Sequence, residues 1–167
     1  GSFEVETSEG VMKARHVVLA LGRRGTPRRL NVPGEDSAKV AYRLIDAEAY
    51  KDRRVLVVGG GDSAVEAAMG LEHQEGSVVT ISYRKDSLMR IKQRNADRIG
   101  PLIKAQRINF QGSTTVQSIE NDAVVLKGPD GLVTIPNDDV FVLAGGIPPF
   151  GLLRDMGIIF GGDQREP

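Results

Sequence analysis

Arg54-Val-Leu-Val-Val-Gly-Gly-Gly-Asp-Ser-Ala-Val-Glu66 joins a short apolar run, Val55 to Val58, to the tripod Gly59-x-Gly61-x-x-Ala64. The tripod opens an apolar-periodic segment that runs to about Leu71. Strand, glycine turn and helix in that order supply the context a dinucleotide-binding fingerprint requires; the spacing alone is weak. Gly59 permits the tight turn, Gly61 lets the backbone approach a pyrophosphate, and Ala64 allows helix to pack closely on strand. The free N–H groups around Asp62, Ser63 and Ala64 then face the phosphates, with the helix dipole adding to the attraction. Gly60 completes the cradle, and Glu66 lies in the first part of the helix, where a negative charge is favoured by the dipole. Asp62 and Ser63 are also good N-cap types, a structural role that competes with ligand binding.

Outward from this unit, strands and helices alternate. Phe3 to Glu6 and Val11 to Ala14 flank Ser8-Glu9-Gly10 and read as a hairpin. Val17 to Leu21 reads as a buried strand ending in the breaker-rich loop Gly22 to Pro27, and Val40 to Tyr50 reads as a helix. Val78 to Tyr83, rich in β-branched residues, is the second strand of the nucleotide unit. A basic helical stretch follows from about Arg90 to Ile99, broken by Gly100-Pro101. Arg107 to Phe110, Thr115 to Ile119, Ala123 to Leu126 and Val133 to Ile135 are short strands, and Val140 to Ala144 is a fully buried one. A short helix from Leu152 to Met156 ends the pattern. The expected fold is α/β: a Rossmann-like three-layer domain with a central parallel sheet and an antiparallel β-meander.

The end of the second strand bears on which nucleotide fits. Folds that prefer the cofactor without the extra phosphate place an acidic residue there, on the ribose 2′-OH. Here that position falls near Ser82, 23 residues after Gly59, and the chain continues Ser82-Tyr-Arg-Lys-Asp-Ser-Leu-Met-Arg90 with no carboxylate at the strand end. Tyr83 lies beside it, and Arg84, Lys85 and Arg90 are candidates to surround a 2′-phosphate. NADP(H) is favoured, with NAD(H) left open. Residues 84–107 hold eight Lys or Arg against Asp86 and Asp97 only, so a solvated helix face and a nucleic-acid patch are the competing readings. The patch lacks interleaved aromatics: only Tyr83 is near, and Trp is absent. Gly145 and Gly146, after the buried strand, are candidates to line the nicotinamide side, with a plain turn as the competing reading.

Composition excludes other chemistry. The chain of 167 residues has net charge zero, 22 basic against 22 acidic, and so no global pull toward nucleic acid or anionic membrane. No apolar run approaches the roughly 20 residues of a membrane span, and a cytoplasmic setting is expected. Zero cysteines remove thiolate ligands and any cysteine redox step from this chain, and two histidines, His16 and His73, are too few for a metal site. No catalytic residue and no metal ligand is assigned.

Three stretches together resemble the pyridine-nucleotide-dependent flavoprotein oxidoreductases of the thioredoxin reductase fold. They are Val17 to Gly22 with Val32-Pro-Gly-Glu35, the unit from Gly59 to Glu66 with Ser82 to Arg90, and Asp139 to Gly146. The resemblance implies FAD in the full-length protein, NADPH held here for hydride transfer to it, and an electron acceptor that stays unknown. It implies edge strips of the FAD domain at 1–36, the NAD(P)H-binding domain at 37–146, and the start of the return crossover at 147–167. The FAD-type glycine motif and the closing FAD segment are missing, so the chain reads as an excised NAD(P)H domain. The interval Lys39 to Tyr50 lacks the Cys-x-x-Cys of thioredoxin reductases. The resemblance therefore leans to the cysteine-poor subgroup, bacillithiol disulfide reductase-like and ferredoxin–NADP reductase-like. It leaves a homodimer of the full-length form open. A module that senses NADP(H) without catalysis is the alternative.

Overall fold

In a computed structural model, which describes residues 1–18, 20, 26–147 and 150–157, the central feature is a five-stranded sheet. Its strands are β4 (Val40–Ala41), β5 (Arg54–Val58), β6 (Val78–Ser82), β7 (Ile108–Gln111) and β11 (Asp139–Val142). The order is β4-β11-β5-β6-β7, and all neighbours are parallel. A parallel sheet must be covered on both faces, which is why Val55, Leu56, Val57 and Val58 form an unbroken apolar run. Period-2 alternation then divides that run between two cores. Val55 and Val57 join Val65, Ala68 and Leu71 of α1 (Asp62–Glu72) and Ile99 of α2 (Gln93–Lys104). Leu56 and Val58 join Val116, Ile119, Val124 and Leu126 of an antiparallel meander. Its strands are β8 (Thr115–Ile119), β9 (Ala123–Gly128) and β10 (Gly131–Pro136). Helices, parallel sheet and meander make three layers, as the sequence leads one to expect. Each fully buried Val or Leu of β5 contributes roughly 1.5–3 kcal/mol.

Chain contacts divide the molecule into Thr26–Ile147, which holds these layers, and a second unit, Gly1–Gly25 with Pro148–Pro167. In the second unit β1 (Phe3–Thr7) pairs antiparallel with β2 (Gly10–Ala14) across the expected turn, and α3 spans Phe150–Asp155. In the larger unit β3 (Thr26–Pro27) pairs antiparallel with β12 (Gly146–Ile147).

Three expectations are corrected. Residues 40–50 are not a helix: Val40 and Ala41 pair with Val140 and Phe141, and only Glu48–Tyr50 forms a 3-10 turn. The apolar spacing arises because Val40 packs toward the meander, while Leu44, Ala47 and Tyr50 pack on the helical side. The helix expected to break at Gly100-Pro101 instead runs through it to Lys104. Proline inside a helix costs about 3 kcal/mol. Here Asp97, whose carbonyl loses its partner, and Pro101 both lie on the exposed face, while Ile99, Leu102 and Ile103 hold the helix to the core. Val17 and Val18 are not in a buried strand; Val18 is 88% exposed, and no strand pairs with this run among the described residues. Leu19, residues 21–25 and Pro148-Pro149 lie outside the described residues.

Candidate dinucleotide-binding site

The sheet winds outward from β5 through α1, β6, α2 and β7, and then returns to place β11 on the opposite side of β5. The strand order therefore reverses between β5 and β11, and ligands of open α/β sheets bind at the carboxyl ends of strands at such a switch point. The glycine turn sits there. Leu143, just beyond β11, donates its N–H to the Val58 carbonyl at 2.8 Å, and Gly59 donates its own to the Ser82 carbonyl at 3.0 Å.

The three glycines answer to three different demands. Gly59 has φ +149°, and a Cβ there would lie 2.4 Å from the Leu143 carbonyl oxygen and 3.1 Å from the Ala64 methyl. The fold itself requires glycine at that position. At Gly60 a Cβ would stand 2.5 Å from the ring of Tyr83, so the aromatic ring lies directly against the loop. Gly61 is unlike either: its φ of −102° is open to any residue, and a Cβ there would meet nothing within 4 Å. No atom among the described residues excludes a side chain at Gly61. The space it leaves is at the N-terminus of α1.

Gly61 is the N-cap of α1, without a side-chain cap, and its carbonyl accepts the N–H groups of Ala64 and Val65. The first-turn N–H groups of Asp62 and Ser63 find no acceptor among the described residues, as at any uncapped helix start. The capping role weighed for Asp62 and Ser63 is thus corrected. Ser63 is exposed, and the Asp62 carboxylate turns away from its own helix. It accepts the Lys92 N–H at 2.9 Å and the Asn95 side-chain N–H at 2.6 Å. The Lys92 N–H and, behind it, the Asn95 amide and nearby cations outweigh desolvation and hold the Asp62 carboxyl below its ordinary range. Glu66 is likewise turned toward α2: it accepts from Asn95 at 2.9 Å and stands 3.7 Å from the Arg94 guanidinium.

Ser82 is buried at 1% exposure, and its hydroxyl is engaged with that of Thr114 at 2.8 Å. With its carbonyl held by Gly59, Ser82 belongs to the frame beneath the loop. Tyr83 is fixed from both sides of its backbone, donating to the Gln111 carbonyl and accepting from the Thr114 N–H, each at 3.0 Å. Arg84, Lys85 and Arg90 are exposed and have no ion-pair partner among the described residues. Arg107, at the opposite end of the sheet, is paired with the buried Glu72. The cations at the end of β6 are therefore available to a ligand; no carboxylate stands at Ser82 or Tyr83, and the first one beyond, Asp86, accepts the Ser87 hydroxyl at 2.8 Å. Gly145 and Gly146 follow β11 at the same edge of the sheet and are exposed. Gly145 accepts the Arg28 N–H at 3.0 Å and Gly146 pairs with Pro27, so their recorded bonds go to residues 27 and 28. Among the described residues no cluster of His, Asp or Glu could hold a metal, and no helix is long and apolar enough to cross a membrane.

Sequence reasoning missed Asn95 and Thr114. Asn95 had a legible signal: it falls four residues before Ile99 on the buried stripe of α2, where a polar residue needs an internal partner. Thr114 had none, since its partner is 32 residues away.

Known proteins are similar to this chain in sequence and fold. Bacilliredoxin reductase of Bacillus subtilis is 32% identical over 168 residues, covering 99% of this chain and 52% of its own length. A ferredoxin–NADP reductase of Ignicoccus hospitalis is 33% identical over 138 residues, covering 80% of this chain and 44% of its own. The structure of bacillithiol disulfide reductase from Staphylococcus aureus superimposes with a TM-score of 0.88 at 29% identity, over 98% of this chain and 50% of that one. The chain thus spans about half the length of the curated relatives it matches. The family described as pyridine nucleotide-disulphide oxidoreductase matches residues 1–167, and this chain belongs to it.

Proposed function

We propose that this chain is the NADPH-binding domain of a flavin-dependent oxidoreductase, holding NADPH so that its nicotinamide can pass a hydride to FAD. The observation that carries the reading is Gly61. A glycine that neither its φ nor any neighbouring atom requires is explained by something outside the chain that approaches the backbone closely. Its position, at a helix start with N–H groups to spare and at the switch point of a parallel sheet, suits a pyrophosphate.

In this reading the N–H groups of Asp62 and Ser63 hold the pyrophosphate. Arg84 offers a planar fork to the 2′-phosphate, and Lys85 and Arg90 add point and fork charges beside it. Gly145 and Gly146 leave the nicotinamide side unobstructed. NADPH, when bound, supplies the hydride; the chain binds and orients, and none of its side chains acts as acid or base. FAD enters from family membership and from relatives roughly twice this chain's length. The final electron acceptor is left unassigned.

The test is anaerobic mixing of the full-length protein with NADPH or NADH while following flavin absorbance. Bleaching by NADPH, faster than by NADH, is expected. A full-length protein that binds NADPH but carries no flavin would replace this reading with a sensor of NADP(H).

A further inference from the structure

Asn95 is fully buried, and its amide spends both N–H groups on carboxylates of α1: Asp62 at 2.6 Å and Glu66 at 2.9 Å. The same Asp62 oxygen accepts the backbone N–H of Lys92, the N-cap of α2. The Asn95 side-chain carbonyl has no partner among the described residues and is buried. An arrangement that leaves an acceptor unsatisfied is not the one that packing alone favours, since an apolar side chain of the same shape would avoid that loss. The clasp has a second consequence. It fastens the start of α2 to the first turn of α1, the turn that begins at the glycine loop. Between the fixed end of β6 at Ser82 and the clasped Lys92 lies the segment that carries Arg84, Lys85 and Arg90. Its middle is held by the Ser113 N–H on the Lys85 carbonyl at 2.9 Å and by Leu88 and Ile91, which pack on the helical-side core, while Arg84, Lys85 and Arg90 stay exposed.

We infer that Asn95 is a positioning residue for nucleotide selectivity: through Asp62 and Lys92 it holds the cationic segment 84–92 in register with the N-terminus of α1, so that one dinucleotide meets both. The inference rests on the proposed NADPH site. Asn95 touches no ligand in this scheme; it fixes the distance between the pyrophosphate subsite and the 2′-phosphate subsite. Loosening it should weaken the ligand that uses both subsites and spare the one that uses only the first.

The test uses Asn95→Leu, which keeps the branched shape and removes the unsatisfied carbonyl, with Asn95→Ala beside it. Calorimetric Kd values for NADPH and NADH and amide hydrogen exchange over residues 84–92 are measured on each. The expected result for Asn95→Leu is a folded protein, a Kd for NADPH raised about tenfold, the loss of about one charge-assisted contact, and an NADH value changed less than about twofold. Exchange over residues 84–92 should quicken. Unchanged NADPH affinity in a folded Asn95→Leu would overturn the inference, and so would equal losses for NADPH and NADH. If Asn95→Leu fails to fold, Asn95→Ala is read by the same NADPH-to-NADH ratio. Absence of NADPH binding by the unaltered chain would overturn the underlying site, and the inference with it, before any variant is compared.

Discussion

Replacing Gly61 by alanine separates what the fold requires from what a ligand requires. Among the described residues the new methyl meets nothing within 4 Å, at a φ of −102° that alanine adopts freely. Two small terms oppose each other. Loss of a glycine N-cap for alanine costs a few tenths to about 1 kcal/mol. The reduced freedom of the unfolded chain returns about 0.4–1 kcal/mol. The net change should lie within about 1 kcal/mol of zero, a shift in Tm of no more than roughly 2–4 °C for a chain of this size. With ligand the outcome differs, because the methyl occupies the space through which phosphate oxygens reach the N–H groups of Asp62 and Ser63. Each charge-assisted hydrogen bond lost is worth about 1.5–3 kcal/mol, so NADPH affinity should fall by about tenfold to a hundredfold or more. Calorimetric titration and thermal unfolding of native and Gly61→Ala chains measure both quantities. Native-like NADPH affinity in a folded Gly61→Ala protein would refute the argument that a ligand dictates this glycine. A collapse in stability would refute the claim that the chain does not.

Gly59→Ala should behave in the opposite way. Left-handed strain together with the collision on the Leu143 carbonyl should cost about 3 kcal/mol and lower Tm by roughly 6–12 °C, visible in a thermal melt without any nucleotide. Replacing Arg84 and Lys85 together by alanine should weaken NADPH by tenfold or more, roughly the loss of one charge-assisted bond. NADH should be nearly unaffected, and the NADPH difference should shrink as salt is raised; equal losses for both nucleotides would argue against a 2′-phosphate subsite. The Arg54 guanidinium, at 2.5 Å, and the Arg54 N–H hold the Asp138 carboxyl far below the usual carboxylate range. A depressed folded pKa gives stability that is present above the unfolded value, about 3.9, and lost as pH falls through the folded one. Urea unfolding of native and Asp138→Asn chains should therefore differ at pH 6, and the difference should shrink below about pH 4. A gap that stays constant down to pH 2 would contradict that assignment.

The strand, turn and helix of the nucleotide unit were legible because every link in them is local. The apolar run of β5, the small residues at 59, 61 and 64, and the β-branched run of β6 each announce an element within a few residues. Gly59 reads from sequence as the residue of a tight turn, which its φ of +149° and the close Leu143 carbonyl agree with; the approach assigned to Gly61 stays a proposal. The reason for Gly60 was not legible, since it is the ring of Tyr83, brought over the loop only when β6 pairs beside β5. Residues 40–50 misled because Val40, Leu44 and Ala47 repeat at helical spacing while packing on two different faces of the sheet. Proline at 101 misled in the other direction: the breaking tendency of one residue was outweighed by the apolar stripe on either side of it. Asp62 is the instructive residue of the site. Its type suggests a cap, yet its carboxylate serves the neighbouring helix, a choice set by Lys92 and Asn95 about 30 residues away.

The central claim, that the loop from Gly59 to Ala64 and the cations after β6 form one NADPH site, is tested most directly by calorimetric titration of the native chain with NADPH, NADH and a DNA duplex under one buffer. The account predicts saturable NADPH binding, weaker NADH binding by about tenfold or more, the share of one charge-assisted phosphate contact, and no heat with DNA. Binding to DNA with no heat from either nucleotide would contradict it.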